Sequence, residues 1–268
     1  MTIERVEGDG VSLRVSGEGR GAPVLLLHGF PDSLDLWRNQ VPALVDAGFR
    51  TIALDLRGFG ESDKPARVGD YLMSRVVEDV RRVLDRFDVP RAHVIGHDWG
   101  AIVGWGVAGW APDRVEKLVA ISVGHPRSFV RALARQAWRS WYAAFFQLPR
   151  IPEAAIRGRD WALFRRLFGG SRDFERYLGD LSRPGALTAG LNWYRANGRV
   201  DRLLRYPPVA GPALGIWGDR DWALGERQMT GSARYVRGEW RYERMAGGHW
   251  LPLSRPDELN RLLLGFMS

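Results

Sequence analysis

Five residues, Gly96-His97-Asp98-Trp99-Gly100, constrain this chain more than any other stretch. They follow a short apolar run ending at Ile95 and precede Ala101-Ile102-Val103-Gly104-Trp105, a segment apolar enough to be buried. A strand, a sharp turn and a helix in that order form the junction that lifts a nucleophile above the edge of a sheet. Glycines on both sides suit such a turn, because a strained backbone leaves no room for a neighbouring Cβ. The central residue is Asp98, where such junctions usually carry Ser. A serine oxygen attacks acyl carbon. A carboxylate is a poor acyl-transfer nucleophile, but it can displace a leaving group from saturated carbon and leave an alkyl ester on the protein.

The rest of the chain alternates around this junction. Residues 3–7 and 11–15 read as an opening hairpin about Gly8-Asp9-Gly10. Residues 23–27 are continuously apolar, as expected of a strand covered on both faces, and they lead into His28-Gly29-Phe30-Pro31-Asp32. Helical spacing runs over 33–47 with Ser33 as its cap, and Gly48 closes it. A strand over 50–54, a helix over 71–87, the strand 92–95, the helix 99–110 and a strand over 115–123 follow. Strands alternating with helices predict a mostly parallel α/β sheet covered on both sides.

After His125-Pro126 the alternation stops. Residues 127–206 are helical in spacing and rich in aromatic residues, with no strand-like run. Strands return at 213–217 and 240–245, and a helix over 256–267 closes the chain. The expected organisation is a core of residues 1–126 and 207–268 with an all-helical insertion of residues 127–206.

Composition removes several functions. The 268 residues contain no cysteine, so disulfides, thiolate metal sites and a Cys nucleophile are excluded. No apolar run approaches the ~20 residues of a membrane span, and the first residues lack a basic head followed by an apolar stretch. The expectation is a cytoplasmic protein with no membrane partner. Net charge is +8, and all but two of the 39 basic residues are arginines. They are scattered, with no basic run, so they read as a solvated surface and no nucleic-acid partner is expected.

The chain resembles the α/β-hydrolase superfamily and, within it, the epoxide hydrolase branch. Four stretches carry the likeness in family order. His28-Gly29-Phe30-Pro31-Asp32 is similar to the oxyanion-hole loop, and Gly96-His97-Asp98-Trp99-Gly100-Ala101 to the Asp elbow. Trp217-Gly218-Asp219-Arg220-Asp221 resembles the loop of the triad acid, and Gly247-Gly248-His249-Trp250 that of the triad histidine. The helical insertion falls where that family carries a cap, and Leu191-Asn192-Trp193-Tyr194-Arg195 resembles the segment holding a ring-opening tyrosine.

The resemblance implies an eight-stranded sheet and a set of roles. Asp98 is the expected nucleophile, His249 the base that activates water, and Asp221 its orienting acid, with Asp219 as a competitor two residues away. Phe30 and Trp99 are expected to supply backbone N–H groups to the oxyanion hole. Tyr194 is expected to protonate the epoxide oxygen. The family's second cap tyrosine aligns with Phe145, and Tyr142, one helical turn earlier, is a possible substitute. Tyr142, Phe145, Phe146 and Trp193 are the expected pocket walls. His28 and His97 are expected to make structural hydrogen bonds. No metal or organic cofactor is implied. The implied ligand is a small hydrophobic epoxide, and the implied assembly a monomer or homodimer.

Other chemistries stay open at this stage. Haloalkane dehalogenation uses the same Asp–His–acid set but needs N–H donors for the halide, with Trp99 and one of Trp138, Trp141, Trp161 and Trp193 as candidates. Fluoroacetate-type chemistry would call for arginines just after the nucleophile, where Trp99 and Ile102 stand. Ester or carbon–carbon hydrolysis would want Ser at position 98. A non-catalytic ligand sensor is the reading from a different class, since fold does not fix function.

Overall fold

The computed structural model describes residues 2–136, 141–168, 171 and 173–268; Trp138 lies outside them. Eight strands form one sheet: β1 (Thr2–Glu7), β2 (Ser12–Glu18), β3 (Ala22–Leu27), β4 (Phe49–Leu54), β5 (Ala92–His97), β6 (Val115–Ile121), β7 (Ala213–Gly218) and β8 (Trp240–Met245). Their order is β1-β2-β4-β3-β5-β6-β7-β8. β2 pairs antiparallel with β1 and β4, and every other pairing is parallel. This is the α/β-hydrolase fold, with the sheet mostly parallel as its continuous apolar runs require.

The helices are α1 (Gln40–Asp46), α2 (Met73–Arg86), α3 (Trp99–Trp110), α4 (Pro126–Gln136), α5 (Trp141–Phe145), α6 (Ile151–Phe168), α7 (Phe174–Ser182), α8 (Ala186–Asn197), α9 (Val200–Leu203), α10 (Glu226–Thr230), α11 (Leu251–Ser254) and α12 (Pro256–Met267). Successive residues of a strand face opposite ways, so Val24 and Leu26 of β3 pack with α1 and α12, whereas Leu25 and Leu27 pack with α2 and α3. Six of the helices, α4 to α9, lie between β6 and β7. α6 is broken at Gly158–Trp161, where three consecutive residues, Arg159, Asp160 and Trp161, take positive φ. Among the described residues no helix is long and apolar enough to cross a membrane.

One expected element differs. Residues 33–47 do not form a single helix but a 3₁₀ turn, Leu34–Trp37, followed by α1. Pro42 gives the reason. In a helix begun at Ser33 it would sit in the interior, lacking a donor and clashing with the Arg38 carbonyl; restarting at Gln40 puts it in a first turn, where no donor is needed. Ser33 makes no side-chain cap bond. Its hydroxyl instead accepts from Arg176 at 3.1 Å.

Candidate active site

The site is assembled at the C-terminal ends of β3, β5, β7 and β8. Asp98 joins β5 to α3 with φ +53° and ψ −121°, a conformation that costs a non-glycine residue about 1–3 kcal/mol. The surroundings hold it there. Its N–H donates to the Ile121 carbonyl at 3.3 Å, and its carbonyl accepts from Ala101 at 3.0 Å and Ile102 at 3.3 Å. A Cβ at Gly100 would collide with the Leu27 carbonyl, and one at Gly29 would collide with the Asp98 side chain. Those two glycines let the elbow and the loop after β3 approach each other.

That approach fixes the carboxylate. Asp98 Oδ1 accepts the Phe30 N–H at 2.9 Å, and the dipole of the Trp99 backbone N–H further favours the carboxylate charge. Asp98 Oδ2 lies 3.6 Å from His249 Nε2, and His249 Nδ1 lies 2.8 Å from Asp221 Oδ2. Asp221 also accepts the Ala223 and Leu224 N–H groups at 2.9 and 3.0 Å. Asp219 turns elsewhere and accepts the Gly247 N–H at 3.0 Å, bracing the histidine loop.

Charge follows from this geometry. Burial disfavours the His249 cation, but the two carboxylates beside it outweigh burial and raise its pKa. Burial likewise opposes the Asp98 anion, yet His249 and the backbone donors hold its pKa below the usual carboxylate range. The resting site is therefore an imidazolium between two carboxylates. His28 and His97 are structural: His28 Nε2 accepts the Leu56 N–H at 3.0 Å, and His97 Nε2 lies 2.9 Å from the His249 carbonyl. Burial lowers the pKa of both to about 4.

Two tyrosines of the helical insertion face the elbow. Their ring centroids are 6.1 Å apart, and both line the cavity walls with Asp98. Burial, then the Asp98 charge, pushes each phenol well above its ordinary range, so both are neutral O–H groups. The Trp99 ring stands edge-on to Tyr194, with centroids 5.0 Å apart.

Two expected wall residues lie elsewhere. Phe145 does not reach the cavity; it packs on Trp141 and Phe146 at 6.3 and 6.0 Å between centroids. Positions four apart share a helix face, so Tyr142 and Phe146 look inward together and Phe145 turns aside. Trp193 is fully buried behind Trp99 and Phe59, its Nε1 donating to the Arg57 carbonyl at 3.0 Å. Adjacent helical residues point about 100° apart, so with Tyr194 facing the site its neighbour faces the core. Missed at the sequence level were Phe168, Trp222 and Trp250, which line the cavity beside Phe30 and His249. Trp250 had a local signal, since it follows the histidine; Phe168 and Trp222 had none. Among the described residues no group of His, Asp and Glu is placed to hold a metal ion.

The α/β-hydrolase fold family model matches residues 22–256. The chain is 37% identical to the AB hydrolase superfamily protein YfhM of Bacillus subtilis, over 98% of this chain and 96% of that one. It is 34% identical to epoxide hydrolase A of Mycobacterium tuberculosis, over 100% and 97% of the two chains. The crystal structure of epoxide hydrolase A from Mycobacterium thermoresistibile superposes with a TM-score of 0.87 at 32% identity, covering 99% of this chain and 97% of the other. With the elbow, the sheet order and these likenesses together, the chain belongs to the α/β-hydrolase fold family, in its epoxide hydrolase branch.

Proposed function

We propose that this protein adds water to an epoxide to give a vicinal diol through a covalent ester on Asp98, with residues 127–206 acting as the cap. The observation that carries this reading is the position of one carboxylate. It has the Phe30 N–H on one oxygen, an imidazole beside the other, and two neutral phenols facing it.

In the first step Asp98 Oδ2 attacks an oxirane carbon and the C–O bond breaks. The departing oxygen takes a proton from Tyr194 or Tyr142, because an unprotonated alkoxide is too basic to leave readily. A phenol raised this far does not remain ionised, so it recovers its proton from the His249 imidazolium. Esterification also removes the Asp98 charge that had stabilised that cation, and His249 becomes a neutral base. It then takes a proton from water as the water oxygen adds to the Asp98 carboxyl carbon. The Phe30 and Trp99 N–H groups hold the developing oxyanion. Collapse releases the diol oxygen, which takes the proton from His249, and the new carboxylic acid returns its own proton to His249. The resting charges are restored and one water has been consumed.

Haloalkane dehalogenation fits less well. It needs a second N–H donor beside Trp99 directed at a halide, whereas the Trp193 indole is spent on the Arg57 carbonyl. A ligand sensor would have no use for a strained carboxylate aligned with an imidazole.

The test is one turnover in ¹⁸O water with enzyme in excess. Label enters the Asp98 carboxylate and the first diol carries none from solvent. In His249→Gln the ester accumulates and is seen as a mass increment equal to the epoxide. Direct appearance of solvent oxygen in the first diol would replace the covalent route with water attack on the epoxide.

A further inference from the structure

The cavity above Asp98 has two unequal arms, and Asp98, Tyr142 and Tyr194 form walls of both. One arm, closed by Phe30, Phe146, Phe168 and Trp250, has a volume of only about 40 Å³. That is about a quarter of the ~150 Å³ cavity that holds a benzene ring. The other arm, walled by Ile102, Val123, Phe129, Leu133, Leu203 and Leu224, has about 420 Å³. A cavity of ~150 Å³ with similar walls holds a benzene ring, so the wide arm has room for a fused ring pair or a long alkyl chain.

An oxirane held with its oxygen at the tyrosines and a carbon at Asp98 must direct its substituents into these arms. Resting on the epoxide reading above, we infer that this enzyme selects terminal epoxides that carry one long or bulky apolar group. That group lies in the wide arm, and the narrow arm accepts hydrogen or at most a methyl. Epoxides with a bulky group on each carbon are excluded.

The narrow arm is closed by packed rings rather than by a loose side chain. Phe146 is buried against Phe30, Tyr142 and Tyr194, with centroids 6.3, 5.7 and 5.0 Å away. Phe168 packs on Phe164 at 4.6 Å, Trp250 at 5.8 Å and Phe30 at 6.4 Å. Moving one ring displaces its neighbours, so the arm does not open for a second aryl group without cost. Phe168 is the better residue to truncate, since no ring stacking ties it to either tyrosine. The far wall of the wide arm is bounded largely by aliphatic side chains, Ile102 of α3, Leu133 of α4, Leu203 of α9 and Leu224 of the loop after β7, with Phe129 of α4 among them. Leu203 of α9 lies on its wall, 8% exposed.

Three probes separate the possibilities: 1,2-epoxybutane, 1,2-epoxydecane and trans-stilbene oxide. In the wild type, kcat/KM for epoxydecane exceeds that for epoxybutane by at least about tenfold, because the longer chain buries more apolar surface in the wide arm, and that for trans-stilbene oxide by about a hundredfold, because a second aryl group has no room in the narrow one. Leu203→Trp, which fills the wide arm, lowers the epoxydecane-to-epoxybutane ratio about tenfold, chiefly through KM. Phe168→Ala, which opens the narrow arm, raises the stilbene-oxide-to-epoxydecane ratio about tenfold. Comparable turnover of trans-stilbene oxide and epoxydecane by the wild type overturns the inference and leaves epoxide hydrolysis standing. An unchanged chain-length ratio in Leu203→Trp does the same, even where Phe168→Ala does not fold. Absence of turnover with all three probes counts against epoxide hydrolysis itself.

Discussion

The helical insertion meets the core along two seams that are built differently. On the α8 side the contacts are neutral and buried. Trp193 Nε1 donates to the Arg57 carbonyl at 3.0 Å, Asn197 Nδ2 donates to the Tyr71 carbonyl at 2.8 Å, and Asn197 Oδ1 accepts the Met73 N–H at 3.0 Å. On the α7 side the contact is ionic and partly wet. Arg176 donates to Asp32 Oδ1 at 2.9 Å and to the Ser33 hydroxyl at 3.1 Å, and Trp250 Nε1 donates to Asp32 Oδ2 at 2.8 Å. The Arg176 side chain is 22% exposed and that of Asp32 is not exposed at all. The first seam places the helix that bears Tyr194. The second joins the insertion to residues two positions beyond Phe30 and one beyond His249. Neutral bonds hold their geometry at any working pH; a bond that depends on a buried carboxylate does not. The α8 seam is therefore expected to be indifferent to pH, the fixed side of the insertion, and the α7 seam to respond to it, the adjustable side.

The largest effect is expected on the fixed side. Asn197→Ala leaves the Met73 N–H and the Tyr71 carbonyl buried without partners, a loss of about 3 kcal/mol. For a chain of this size that lowers Tm by roughly 5–10 °C, read by thermal unfolding, and the shift is the same at pH 6 and pH 8. A smaller effect belongs to the other seam. Arg176→Met removes the partner of Asp32, which takes up a proton rather than stand as an unpaired buried charge. The stability cost is then about 1–2 kcal/mol, with kcat/KM falling severalfold because the loops that carry Phe30 and His249 lose a common tie. A Tm loss larger than that of Asn197→Ala would reverse the assignment of the two seams.

How much of this was legible from the sequence depends on how local the signal is. The sheet is written in residue periodicity: β3 is an unbroken apolar run, and β5 is one interrupted by His93, because both their faces are covered. The elbow is written in two glycines about an Asp, since the approach of Leu27 to Gly100 admits no side chain. The restart of α1 at Gln40 was also on the page in Pro42, and spacing alone hid it. Asp221 and Asp219 share one loop, and the choice between them depends on which one faces β8's exit and which one caps Gly247. Tyr142 needed the helix face rather than the alignment, because its partner Phe146 is four residues on. The α7 seam could not be read at all: Asp32 and Arg176 stand 144 residues apart, and neither has a local pattern that names the other.

The smallest expected effect is the most specific test of the adjustable seam. Burial raises the Asp32 pKa to about 6 from 3.8, and Arg176 and the Trp250 indole offset burial only in part. A group that binds its proton more tightly when folded adds stability below its unfolded pKa, and that contribution fades as pH rises through the folded value. Acidification from pH 7 to pH 5 therefore stabilises the protein through Asp32 by about 1 kcal/mol, even as protonation weakens the ion pair to Arg176. Asp32→Asn keeps an acceptor for Trp250 and cannot titrate. The quantity to follow is the Tm of the wild type minus that of Asp32→Asn, which rises by about 2 °C over this interval. Subtracting the variant removes the acid response of the other carboxylates, Asp98 among them, whose lowered pKa works in the opposite direction. A difference that stays flat would mean that Asp32 does not titrate between pH 5 and 7. A difference that falls would mean that Arg176 stabilises the carboxylate more than burial destabilises it. In either case the α7 seam would be as fixed across this range as the α8 seam.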